Sequence, residues 1–62
     1  MFTMVIHPAP PGTDPETHDA GVRAEIIVAC EEHGEVELHY PHGTPDVARF
    51  EGGELIVVSA GG

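Results

Sequence analysis

The sequence predicts a mainly β fold, a small antiparallel barrel or rolled sheet of four or five strands in a single domain spanning residues 1–62. Three observations predict it. "GVRAEIIVAC" (21–30) and "EVELHY" (35–40) both alternate with a period of two. Gly52-Gly53 sits between two apolar runs, as a two-residue hairpin turn does. Gly34 and "PHGTP" (41–45) supply turns on either side of 35–40.

Each element follows in order. Residues 2–6, "FTMVI", are rich in β-branched and aromatic types and read as a short strand. Residues 7–19, "HPAPPGTDPETHD", hold four of the six prolines and form a strap, because proline donates no backbone hydrogen bond and fixes φ. A short helical turn near residues 15–20 is compatible with this. In 21–30 one alternate set is Val22, Ala24, Ile26, Val28 and Cys30, and the other includes Ile27 and Ala29. Thr13-Asp14-Pro15-Glu16 is also good N-cap chemistry, and Gly34 is placed to close a helix. A helix over 22–30, however, is apolar all the way round, and the "IIV" run is β-branched, so the strand is the expectation here.

"EEHG" then turns the chain into strand 35–40, with Val36, Leu38 and Tyr40 on one face. "PHGTP" (41–45) turns it again. With Gly52-Gly53 as the next turn, Phe50 faces Leu55, Arg49 faces Ile56, Ala48 faces Val57 and Val47 faces Val58. Ala48, Phe50, Leu55 and Val57 join the core face, while Val47, Ile56 and Val58 fall on the reverse, as do Ile27 and Ala29 of the earlier strand. A chain of this length has no spare segment to cover both faces of a sheet. The expected interface is therefore Ile27, Ala29, Val47, Ile56 and Val58, joined by Pro8, Pro10 and Pro11 of the strap.

Composition narrows the function. Eleven acidic residues stand against Arg23 and Arg49, with no lysine, giving a net charge of −9. Such a surface does not hold a phosphate backbone and is repelled by anionic membranes. It suits a solvated acidic face, a basic protein partner or, more remotely, an acidic mimic of DNA. "MFTMVIHP" lacks the basic start and the long apolar core of a signal peptide, and no apolar run is long enough to span a bilayer. The expected location is the cytoplasm or the interior of a virion or other assembly.

Cys30 is the lone cysteine, so no intrachain disulfide forms, and its neighbours Glu31 and Glu32 oppose thiolate formation. Cys30, His33, His39 and His42 have suggestive zinc-ligand spacings, but an extended 35–40 holds His33 and His39 about 20 Å apart, too far for one metal. No metal, no cofactor and no catalytic residues are expected. The five histidines read as surface groups, with His39 beside Glu37.

The closing stretch "EGGELIVVSAGG" resembles the end of the ubiquitin-like sulfur carriers of the thiamine and molybdopterin pathways. The resemblance implies a Gly-Gly tail that threads a narrow channel of an activating enzyme. Gly62 would carry the adenylated and then thiocarboxylated carboxylate, with Gly61 beside it, and the fold would open with a β-hairpin before its helix. The residues themselves favour a different role: a non-enzymatic accessory or structural subunit, such as a virion decoration or assembly component, that docks on a larger protein or on copies of itself.

Overall fold

The computed structural model describes residues 1–60. The elements run β1 (Phe2–Val5), α1 (Pro15–His33), β2 (Val36–His39), β3 (Asp46–Glu51) and β4 (Glu54–Ser59). The four strands form one sheet in the order β1-β2-β3-β4. β1 pairs with β2 in parallel, and β2-β3 and β3-β4 are antiparallel. The architecture is mixed α/β, with an open sheet carrying one helix, and the expected all-β barrel or rolled sheet is corrected accordingly.

The correction centres on residues 21–30, which belong to α1 rather than to a strand. Asp14 caps the helix: its Oδ2 accepts from the Thr17 N–H at 3.2 Å and from the Thr17 hydroxyl at 2.8 Å. Pro15 occupies the first turn, where a missing N–H costs nothing, and at the far end the Gly34 N–H donates to the Cys30 carbonyl at 2.8 Å. The strap is accordingly shorter than residues 7–19, ending at Asp14. A parallel strand pair needs a crossover connection, and α1 supplies it. One strand, not a hairpin, precedes the helix, which departs from the topology the sulfur-carrier resemblance implies.

The core lies between α1 and one face of the sheet. Val22, Ile26, Ala29 and Cys30 recur at helical spacing and pack on Val36, Leu38 and Ala48, with Met4, Ile6, Phe50 and Leu55 around them. Ala24 and Val28 are exposed, so the core set Val22, Ala24, Ile26, Val28 and Cys30 expected for a strand is replaced by this helical stripe. Ala29, expected on the reverse face of a sheet, is buried in the core instead, and Ile27 is half-buried on the helix.

The register of the second hairpin matches its sequence reading, although Val57, read there as a core-face residue, is 44% exposed. Val47↔Val58, Ala48↔Val57, Arg49↔Ile56 and Phe50↔Leu55 are paired about Gly52 and Gly53. Both glycines have positive φ, 59° and 77°, the conformation a two-residue turn demands.

Candidate docking surface

The face of the sheet opposite α1 is the most conspicuous feature for recognition. Alternation along each strand places Val5, Glu37, His39, Val47, Arg49, Ile56 and Val58 there, since residues opposite one another in a ladder share a face. The helix packs on the other side. Val5 is 63% exposed and Val58 47% exposed, while Val47 and Ile56 are half-buried among their neighbours. Val47 and Val58 are directly opposite, and Ile56 is two residues from Val58 on the same face, so the three form one apolar patch on β3 and β4.

Charged pairs flank that patch. On β2, His39 Nε2 meets Glu37 Oε1 at 2.5 Å; on β3, Arg49 Nε donates to Glu51 Oε2 at 3.0 Å. An apolar centre with a polar rim is the anatomy of a protein–protein interface. β4 also forms one edge of the sheet, so the patch runs to a strand with an open side.

The other residues expected at the interface lie elsewhere. Ile27 and Ala29 belong to the helix side. The strap lies on that side too: Pro8 lines a hollow with Ile6, His18, Val22 and Tyr40, and the His18 Nε2–H donates to the His7 carbonyl at 2.9 Å, pinning the strap to the first turns of α1. Pro10 and Pro11 are exposed, with the Pro10 carbonyl accepting from the Thr13 N–H at 3.1 Å. Gly61 and Gly62, the proposed carrier tail, lie outside the described residues.

Chemistry-bearing side chains are dispersed. Cys30 is buried on the inner face of α1, and burial pushes its thiol up from its ordinary value, away from the reactive thiolate. His33 stacks on Phe2, with ring centroids 4.0 Å apart and planes at 4°, whereas His39 is on the reverse face of the sheet. Among the described residues no three His, Cys, Asp or Glu side chains are grouped to hold a metal, and no helix is long and apolar enough to cross a membrane.

Sequence reasoning missed a second feature, a groove beside β1 lined by Phe2, Met4, Ala24 and Val28. The signal for it was present in the apolar residues that surround a helix over 22–30. No family model, curated protein or solved structure matches the chain.

Proposed function

We propose that this protein is a non-enzymatic accessory or structural subunit that docks on a larger protein, or on copies of itself in an assembly such as a virion, through the open face of its sheet. The observation that carries this reading is the apolar patch of Val47, Ile56 and Val58, uncovered by the chain's own helix and rimmed by Glu37-His39 and Arg49-Glu51. Burying such side chains contributes about 25 cal/mol per Å² of apolar surface, which a chain this small draws on to supplement its core. The acidic surface keeps the unassembled subunit soluble and directs it to a basic partner surface.

The test is the mass of the species isolated from the host by size-exclusion chromatography with light scattering. The wild-type chain is expected in a complex, and Ile56→Glu and Val58→Glu are expected to release it as a folded monomer. Val58 is exposed, so its substitution leaves the core intact and separates failed docking from failed folding. A wild-type chain that is monomeric throughout, or variants that assemble unchanged, would refute the proposal.

A further inference from the structure

The groove between α1 and β1 is separate from the open sheet face and has two properties that together define an occupant. Its floor is apolar: Val28 is 52% exposed and Phe2 41% exposed, and both line a space of about 420 Å³ with Met4 and Ala24. Its helix-side rim is formed by Glu25, Glu32 and His33, the His33 ring lying over Phe2 and 3.8 Å from Glu32, and the two carboxylates make the rim acidic. The carboxylates lie three residues before and four residues after Val28, on one stripe of the helix, so an apolar contact is bracketed by two carboxylates.

The second property belongs to the backbone. β1 is the opposite edge of the sheet from β4 and, among the described residues, pairs only with β2. The Ile6 N–H donates to the His39 carbonyl at 2.8 Å. Because backbone groups alternate sides along a strand, those of Thr3 and Val5 point away from β2, toward the groove's open side. A strand laid there sits about 4.8 Å beyond β1, and every second side chain rises toward α1. Glu25 and Glu32 are about 10 Å apart along the helix axis at 1.5 Å per residue. Two basic residues four apart in a strand span about 13 Å, with one central side chain between them on the same face.

We propose that this groove receives an extended segment of a basic partner protein, added as a fifth strand to the edge of β1. Its pattern is a Lys or Arg, a central apolar residue and a second Lys or Arg at alternate positions. Main-chain hydrogen bonds to Thr3 and Val5 provide the pairing. The central side chain seats on Val28 and Phe2, and the two cations meet Glu25 and Glu32. A second copy of this chain is the poorer occupant, since each carries a net charge of −9 and only two arginines.

The test uses fluorescent synthetic peptides titrated into the full-length protein at low and high salt. Thr-Lys-Thr-Val-Thr-Lys-Thr is expected to bind saturably and to protect the Thr3 and Val5 amides from hydrogen exchange. Replacing its central Val by Gly, or both Lys by Glu, is expected to weaken binding at least about tenfold. On the protein, Val28→Asp is expected to do the same, and Glu25→Gln with Glu32→Gln is expected to weaken binding and flatten its salt dependence. Val28 is exposed and the double Gln change keeps side-chain volume, so neither disturbs the core. Val58→Glu, which tests the sheet face, is expected to leave peptide binding unchanged.

Equal binding of the Gly-centred peptide, or no loss with Val28→Asp, would mean nonspecific attraction and overturn the proposal. Absence of amide protection at Thr3 and Val5 would overturn the strand addition. A free protein that sediments as a dimer and becomes monomeric with Val28→Asp would assign the groove to a second copy and likewise overturn it.

Discussion

Tyr40, at the surface just beyond β2, shows how one hydrogen bond ties two strands and shifts a titration. Its hydroxyl donates to Asp46 Oδ2 at 2.7 Å, linking the end of β2 to the start of β3. Burial of the phenol, then the hydrogen bond to Asp46 and the negative charge there, push its pKa from the ordinary 10 up to about 12. A raised value favours the neutral phenol in the folded state. The stabilisation is therefore fully present below pH 10 and is lost as pH rises toward about 12. Tyr40 is the only tyrosine and there is no tryptophan, so tyrosinate absorbance in the near ultraviolet follows this group alone. The folded protein is expected to titrate near 12. Asp46→Asn is expected to lower the midpoint part of the way back, because it removes the charge and leaves the burial. A midpoint at the ordinary value in the folded chain would contradict the contact.

The helix is where local sequence and tertiary structure part company. Asp14, Pro15 and Gly34 signal its two ends, and all three act as caps or first-turn residues in the structure. The alternation in 21–30 and the β-branched Ile26-Ile27-Val28 pointed to a strand, because propensity and period are judged on the segment alone. Packing decided otherwise: Val22, Ile26, Ala29 and Cys30 bury one stripe against Val36, Leu38 and Ala48. The apolar residues outside that stripe, which argued against a helix, are those that line the groove beside β1. The second hairpin was legible because two glycines fix both turn and register, and the open-face patch followed directly from that register. The β1-β2 parallel pair is not legible in the sequence, since it depends on a crossover helix whose residues 21–30 alternate as a strand does. Gly21 marks the cost of this helix. It lies in the interior, without positive φ, and a Cβ added there meets nothing within 4 Å. Gly21→Ala is expected to stabilise the protein by about 0.5–1 kcal/mol through helix propensity and a less flexible unfolded chain. In a domain of this size that raises Tm by roughly 2–8 °C in a calorimetric or circular-dichroism melt. A lower Tm would show a close contact at that site.

At the scale of the whole molecule, a one-sided core has to hold together a strongly charged chain. A single small core supplies only about 3–5 kcal/mol, and the net charge of −9 is spread over a body measuring 33 × 25 × 15 Å. Every carboxylate is thus within a few Debye lengths of most others at about 0.1 M salt, where that length is roughly 10 Å. Among the described residues favourable pairs are few. Glu37-His39 and Glu32-His33 carry opposite charges only when the histidine is protonated, and Arg49-Glu51 lies at the surface, where such a pair contributes at most about 1 kcal/mol. Screening therefore relieves much repulsion and forfeits little attraction. The urea midpoint is expected to rise steadily as sodium chloride increases from about 0.01 M to about 1 M, a range over which the Debye length falls from roughly 30 Å to 3 Å. Sodium perchlorate of equal ionic strength, which lacks the surface exclusion that strengthens apolar burial in sulfate, is expected to act in the same direction at low concentration. A midpoint that stays flat or falls would mean that the acids are already compensated within the fold. The acidic rim of the groove would then attract a basic segment only weakly, and the peptide titration would show little dependence on salt.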